Sequence, residues 1–459
     1  MLTFTVLMMI PSNSNGQQDE FSNPTPSGPS QPLSSSYTVI VSSNLWDGKA
    51  NSASGPMEIL VNKDRIIEMG KNVSKPAGAK IVDLSNYTVT PGLIDLHVHL
   101  GIPNPQRDMS LTASSLVGTS PFFKLLSATS DAYKVLLSGF TTIRQMGDPI
   151  PGYGLIDLRN LINSGVIPGS RLLVATHFAT NTGGHGDITT ILPEQFQQDL
   201  KIEGQRIVGE DQAREFVRTE TSRGSDFIKV IAEGSYSEPG TGNNAKIQGF
   251  TNNELGAFLE EANRLHMPIA VHVHTPATTQ FLIANNVSTI EHGSILDFET
   301  VSLIEKKGVA WVPTVNRYTQ AANENQTWLD SLPPYAAEKN KESGPLMKNT
   351  QEILVDQLNK NGSQLKMGYG SDAGYDMPLV NNNWREMEAM ISIGLTPIQA
   401  LKSATSEAAK IIGLSNIGTL EINKIADIVA WNGDITTDWR AIKDSIFVMK
   451  DGIIYKSPK

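Results

Sequence analysis

Pro91-Gly92-Leu93-Ile94-Asp95-Leu96-His97-Val98-His99 is the stretch that decides the fold. An apolar run with the length of one buried strand follows a turn-forming Pro-Gly pair and leads into two histidines. His97 and His99 are two positions apart, so on a strand both side chains point to the same side. Two imidazoles directed into one cavity suit a divalent metal ion. Taken alone, a His-x-His pair fits a structural or surface strand at least as well.

Seven further apolar runs follow and alternate with helical segments. They are Thr141 to Gln145, Arg171 to Ala175, Phe227 to Ile231, Ile269 to Val273, Thr289 to Glu291, Ala310 to Val315 and Lys366 to Tyr369. Local signals support the helices, because Thr251 with Glu254 forms a capping-box pattern and Thr396-Pro397 offers an N-cap followed by proline. Strands that alternate with helices are typical of a parallel sheet, and this pattern predicts an α/β fold with a complete (β/α)8 TIM barrel.

Short β-prone runs flank the barrel pattern on both sides. Tyr37 to Val41 and Glu58 to Val61 precede it, whereas Ala426 to Trp431 and Ile446 to Met449 follow it. We interpret the two chain ends as one small β-sandwich into which the barrel is inserted. The predicted boundaries are 37–90 and 416–459 for the two parts of the sandwich and 91–415 for the barrel.

The first 36 residues differ from the rest in composition. Leu2 to Ile10 is apolar but too short to span a bilayer, and Pro11 to Ser36 is rich in Ser, Asn, Pro and Gln. We interpret 1–36 as a signal remnant followed by a flexible tether, which predicts export to the periplasm or the exterior and no transmembrane segment. A cytoplasmic location is the alternative, since no Lys or Arg precedes the apolar run.

Composition narrows the chemistry. The chain has no cysteine, which excludes thiol nucleophiles, disulfides and zinc–thiolate sites, so any metal must be held by nitrogen and oxygen ligands. The net charge of -10 argues against nucleic acid as a partner. A small-molecule substrate is the better expectation.

Further polar residues stand at the carboxyl ends of the predicted strands, where barrel enzymes build their active sites. Lys229 lies within an apolar strand, and an unpaired ammonium is expensive to bury, so it must be paired, modified or extended to solvent. His272 and His274 repeat the two-residue spacing, His292 ends the sixth strand, and Asp372 follows the eighth.

This order of motifs resembles the amidohydrolase superfamily over nearly the whole chain from about Tyr37 to Tyr455. The resemblance implies His97 and His99 on the more buried metal ion, His272 and His292 on a second, a carboxylated Lys229 bridging both, and Asp372 as ligand and proton shuttle. It also implies that a hydroxide bridging two divalent ions attacks an amide bond. Zinc is the default for such ligands, and Mn, Co or Fe would accept the same set.

Other residues are candidates for substrate contacts. His274 is surplus to the ligand set, and we assign it to the substrate carbonyl and its developing oxyanion, with a core histidine as the alternative. His177, His185, Tyr236 and Arg317 follow predicted strands and are expected to touch substrate; ordinary loop or surface positions are the alternative. Asn316 has no assignable role.

Three segments indicate a branch of the superfamily: Gly183-Gly184-His185-Gly186-Asp187, His272-Val273-His274 and Glu291-His292-Gly293. They most resemble the binuclear metallo-dipeptidases, which include Xaa-Pro dipeptidases and ochratoxinase-like carboxypeptidases. The resemblance predicts hydrolysis of a dipeptide or an N-acyl amino acid. Two alternatives stay open: a cyclic-amide hydrolase or imidazolonepropionase-like enzyme, and a catalytically silent binding barrel. The sequence determines neither the substrate preference nor the oligomeric state. A homo-oligomer is one of the assemblies that the sequence allows.

Overall fold

A computed structural model describes residues 37–102, 118–147, 152–187, 206–234, 249–332, 334–374 and 382–458. The predicted signal remnant and tether, 1–36, and the candidate Tyr236 lie outside these residues. Among the described helices, none is long and apolar enough to cross a membrane.

Strands and helices alternate through the middle of the chain. In chain order the strands are β1 (Tyr37–Ser42), β2 (Asn44–Leu45), β3 (Met57–Asn62), β4 (Arg65–Gly70), β5 (Lys80–Asp83), β6 (Thr88–Pro91), β7 (Leu93–Val98), β8 (Phe140–Met146), β9 (Arg171–Ala175), β10 (Phe178–Ala179), β11 (Ile228–Ile231), β12 (Ile269–Val273), β13 (Thr289–His292), β14 (Ala310–Val312), β15 (Lys366–Met367), β16 (Ile428–Trp431), β17 (Ser445–Lys450) and β18 (Ile453–Lys456). The α-helices are α1 (Pro121–Leu137), α2 (Gly154–Asn163), α3 (Glu210–Arg223), α4 (Asn252–Arg264), α5 (Pro276–Ala284), α6 (Phe298–Lys307), α7 (Val315–Ala322), α8 (Gln326–Leu329), α9 (Pro334–Asn359), α10 (Trp384–Ser392), α11 (Pro397–Ser403) and α12 (Ser406–Ile411), with a 3-10 helix at Trp439–Lys443.

The chain ends form two sheets that share a hydrophobic core. One sheet has the order β4-β3-β1-β5, and the other, β18-β17-β16-β6-β2, takes strands from both ends of the chain. Ile40 and Ile59 of the first sheet belong to the same buried cluster as Val89, Ile428 and Phe447 of the second. We call these two sheets the β layer.

The parallel strands lie in two sheets, with the orders β7-β8-β9 and β10-β11-β12-β13-β14-β15. Within the described residues this differs from the single closed ring that the sequence predicts, because strand pairing is interrupted after β9 and β15. Backbone hydrogen bonds nevertheless cross both interruptions: Asp226 N donates to Val174 O at 2.8 Å, and Leu96 N donates to Tyr369 O at 2.8 Å.

The predicted seventh strand is shorter than expected. It ends at Val312, because Thr314 adopts a left-handed conformation with φ of 46° and α7 begins at Val315. Arg317, expected in a loop, therefore lies on the first turn of a helix. The capping box predicted at Thr251 is present, and the predicted N-cap Thr396 also forms a capping box, completed by Gln399.

Candidate metal centre

The carboxyl ends of the parallel strands bring five histidines together. His97 and His99 come from the end of β7, His272 and His274 from β12, and His292 from β13. Their ring centroids are close, at 4.8 Å for His97 and His292, 4.4 Å for His272 and His292, and 4.6 Å for His272 and His274. All five side chains are buried. Strand ends that were far apart in the sequence thus line one interior face.

Asp372 completes a group that could hold a metal ion. Among the described residues, ligand atoms of His97, His292 and Asp372 all lie within 4.8 Å of one another. Asp372 Oδ1 is 3.4 Å from His97 Nε2 and 3.3 Å from His99 Nε2. Its Oδ2 is 3.0 Å from Arg317 Nε. Arg317 and the two histidines hold the pKa of this carboxyl far below its usual range although burial acts in the opposite direction.

The donor set fits a divalent cation. Burial lowers the pKa of His97 to about 4 and that of His272 well below its usual value, so both imidazoles are neutral and can bind a metal. Lys229 Nζ and His272 Nε2 are buried and have no hydrogen-bond partner among the described residues. Burial also lowers the pKa of Lys229 to about 8. Buried polar atoms are nearly always satisfied, so these two atoms indicate a missing ligand.

The outer nitrogen of three of the strand-end histidines is already engaged. His97 Nδ1 donates to Glu291 Oε2 at 2.8 Å, and His99 Nδ1 donates to Gly147 O at 2.9 Å. His292 Nδ1 is hydrogen-bonded to Thr314 Oγ1 at 2.7 Å. Such bonds fix the tautomer and the ring orientation of metal-binding histidines. They leave Nε2 of each ring for the centre.

Sequence reasoning missed Glu291 and Arg144. Glu291 is fully buried, and its Oε1 accepts a hydrogen bond from Arg144 Nη2 at 2.6 Å. Although burial raises it, the charge of Arg144 and the hydrogen bond from His97 bring the pKa of Glu291 to about 2, so this carboxylate stays ionised. A signal was present: both residues, like Lys229, are charged positions inside apolar strands.

Of the residues His177, His185 and Arg317, which are predicted to contact substrate, two lie at the centre and one does not. The His185 ring is 4.7 Å from that of His272, and Arg317 contacts Asp372, so both are at the centre. His177 instead contacts two helix segments. Its Nδ1 is 2.8 Å from Oε1 of Glu220 on α3, and its ring is 5.0 Å from that of Tyr153, which directly precedes α2. The structure therefore does not bring His177 to the strand-end cluster.

The profile of the amidohydrolase family matches residues 88–454, most of the chain. The chain belongs to this family. Divalent metal ions are the general cofactors of amidohydrolases. This amidohydrolase is a metal-dependent hydrolase of amide bonds.

Known relatives of this amidohydrolase include two with matches along most of the chain. Ochratoxinase from Aspergillus niger is 25% identical over 385 residues, which cover 80% of this chain and 75% of that protein. Its crystal structure shares the fold with a TM-score of 0.76 and 23% identity, covering 93% of this chain and 96% of the other. A crystal structure of a Xaa-Pro dipeptidase with bound methionine in its active site has a TM-score of 0.78 and 28% identity, covering 92% and 100%.

A shorter match covers only a small part of the chain. Dihydroorotase from Geobacter sulfurreducens is 53% identical over 47 residues, which cover 10% of this chain and 11% of that protein.

Proposed function

We propose that this amidohydrolase cleaves the amide bond of a dipeptide or an N-acyl amino acid at a centre of two metal ions. One observation carries the proposal: neutral, buried imidazoles converge at the ends of parallel strands with an ionised Asp372 and with Lys229, which has no hydrogen-bond partner among the described residues. The likeness to a Xaa-Pro dipeptidase and to ochratoxinase supports the substrate class.

The proposed setting of the centre is the mouth of a closed (β/α)8 barrel over 91–415. Hydrogen bonds from Asp226 to Val174 and from Leu96 to Tyr369 support closure, because they join the two parallel sheets at both interruptions. The proposed sandwich combines 37–90 with 416–459. The shared cluster of the β layer supports it.

In the proposed ligand set, His97 and His99 would hold one ion, His272 and His292 would hold the other, and Asp372 would be a further ligand. Lys229 would bridge them after its neutral amine attacks carbon dioxide, loses a proton and becomes an anionic carbamate. The lowered pKa of Lys229, about 8, supports this step because a larger fraction of the amine is neutral near pH 7. Zinc suits the imidazole and carboxylate donors. When bound, the ions supply Lewis-acid activation of the scissile carbonyl and of a water molecule.

Asp372 acts as proton shuttle in this proposal. Its carboxylate takes the proton of the attacking water and delivers it to the leaving nitrogen. Arg317 and the neighbouring histidines keep Asp372 ionised before the reaction, which is the form that accepts a proton.

His274 is proposed to stabilise the developing oxyanion. Ser294 Oγ lies 2.9 Å from His274 Nδ1, and donation by this hydroxyl would leave the imidazole proton on Nε2. From there it can be donated to the substrate oxygen. His185 and Arg317 are proposed to contact the rest of the substrate.

A cyclic amide is the second candidate substrate, favoured by the local similarity to a dihydroorotase. Turnover of a panel containing Xaa-Pro dipeptides, N-acyl amino acids and cyclic amides tests both, with Asp372→Asn protein, purified identically, as a control for contaminating peptidases. Hydrolysis of the acyclic amides by the wild-type protein alone is the expected result. Hydrolysis confined to cyclic amides would overturn the preferred substrate class.

A further inference from the structure

Three residues of the centre have a strained backbone. His292, Thr314 and Asp372 have φ values of 70°, 46° and 50°, in the left-handed region that side chains other than glycine rarely adopt. Thr314 is β-branched, which makes this conformation especially unfavourable. Such residues persist only where the surrounding structure over-determines them. The contacts that hold these turns in place therefore bear on the geometry of the centre.

Glu386, at the start of α10, holds the turn after Thr314. Its side chain is fully buried. Oε1 accepts a hydrogen bond from Val315 N at 2.9 Å, and Oε2 accepts one from Asn316 N at 2.8 Å. These are the two backbone amides that directly follow Thr314. One carboxyl group thus holds the backbone that directly follows the left-handed residue.

Asn316 extends the same contact to the turn before Asp372. Its Nδ2 donates to Glu386 Oε2 at 2.8 Å and to Ser371 O at 2.7 Å. Ser371 immediately precedes Asp372, so a single amide group links the two left-handed turns. We call Asn316 and Glu386 the clamp.

The other side of the Ser371 backbone is held from the same helix end. Ser371 N donates to Asp95 Oδ1 at 3.0 Å, and Asn383, which precedes α10, donates to Asp95 Oδ2 at 2.7 Å. Asp372 N donates to His97 O at 2.8 Å. The backbone before Asp372 is therefore bonded at both of its polar atoms, and the start of α10 anchors both bonds.

We propose that Asn316 and Glu386 are positioning residues that set the distance between the Asp372 carboxylate and His292. The clamp fixes Thr314, whose hydroxyl is bonded to His292 Nδ1 at 2.7 Å, and it fixes the turn that presents Asp372. This inference rests on the proposed role of Asp372 as proton shuttle. Neither residue of the clamp belongs to the proposed ligand set.

A purely structural role would have a different signature. Capping the first turn of α7 needs only Glu386, whereas the bond from Asn316 to Ser371 adds nothing to that helix. Loss of the Asn316 amide should therefore change turnover more than it changes folding or substrate binding.

The test is a cycle of Asn316→Ala and Asp372→Asn in the metal-loaded enzyme. Asn316→Ala alone should lower kcat by about a hundredfold, the loss expected when a reacting group shifts by roughly 1 Å, with KM and metal content near wild type. In the Asp372→Asn background it should cause no further loss, because residues that act as a unit are not additive. Asn340→Ala is the matched control, since Asn340 is a buried asparagine on α9 whose amide, within the described residues, donates to Ala336 O of its own helix and to no other element.

Failure of the clamp and failure of the proton shuttle would give different results. The proposed role of the clamp would be overturned if Asn316→Ala lowered kcat by the same factor in both backgrounds. It would also be overturned if Asn316→Ala lowered kcat no more than Asn340→Ala does. Near-normal turnover of Asp372→Asn alone would instead remove the proposed shuttle. If Asn316→Ala does not fold, Glu386→Gln takes its place in the same cycle, and additivity there would equally overturn the inference.

Discussion

The strand-end centre buries charged and imidazole side chains, whereas the core of the β layer is mainly apolar, although Asn62 Oδ1 of β3 is also buried without a partner among the described residues. In the centre, Lys229 Nζ and His272 Nε2 are buried without partners among the described residues, and left-handed turns are buried as well. In the β layer, the core consists of side chains such as Ile59 and Phe447, and the left-handed Lys63 lies in an exposed turn between β3 and β4.

This difference separates chemistry from stability. Unsatisfied polar atoms and strained turns are unfavourable to folding, and proteins retain them chiefly at functional sites. Packed aliphatic side chains contribute stability without chemistry. Changes in the centre should therefore alter turnover or metal binding, whereas changes in the β layer should alter unfolding alone.

The largest expected effect is on turnover, from Asp372→Asn. Loss of the proton shuttle should lower kcat by about 10²- to 10⁴-fold, the usual contribution of a general acid or base. Thermal unfolding should change little by comparison, and metal content is measured on the same samples because Asp372 is also a candidate ligand. Near-normal turnover with metal retained would contradict the assigned role.

A core truncation in the β layer should show the reverse. Ile59→Ala removes a fully buried side chain, so the free energy of unfolding should fall by about 2–5 kcal/mol, measured by urea denaturation. The kcat of the folded enzyme should stay at the wild-type value. A large fall in kcat would break the separation between the two regions.

Thr314→Val tests the groups that orient the ligands. It removes the hydroxyl bonded to His292 Nδ1 but keeps the side-chain shape, and metal affinity should fall by about 10- to 100-fold. Thr314→Ser retains the hydroxyl and is the matched control. Equal affinities of the two variants, measured by competition with a chelator, would remove the proposed orienting role.

Much of the fold and of the centre could be predicted from the sequence. The bounds of β7, β9 and β12 match the apolar runs, and the histidines at the strand ends converge as expected. These features are written in local patterns, namely an apolar run with the length of a strand and polar residues at its end.

The rest depended on tertiary context. Strand β14 ends at Val312 because Thr314 adopts a left-handed backbone conformation. The local sequence around Thr314 contains no signal that predicts this conformation. The role of Asn316 follows from contacts with Ser371 and Glu386, which are 55 and 70 residues away in the chain. The position of His177 is set by Glu220 on α3, 43 residues later. Such pairings have no periodic signal in the sequence.

The smallest effect concerns pH and the metal-free chain. The pKa of His97 is about 4 in the fold and that of His274 about 3, against an ordinary value of 6.5, so protons bind preferentially to the unfolded chain. Stability should therefore be full above pH 6.5 and fall as the pH drops towards 4, by on the order of 1 kcal/mol per histidine near pH 6. Ile59→Ala should lower this curve without changing its slope. Burial raises the pKa of Glu386 to about 8 and that of Asp95 to about 6, which acts in the opposite direction, so the histidine contribution is isolated with His274→Gln. Identical pH dependence of this variant and the wild-type protein would contradict a buried, neutral imidazole at that position.

Metal dependence tests the central claim most directly. The enzyme is stripped with a chelator, its residual metal is measured per chain, and hydrolysis of its best amide substrate is followed as zinc is added back. We expect turnover to vanish in the stripped enzyme and to return as zinc approaches two ions per chain. Undiminished turnover by metal-free protein would contradict the account.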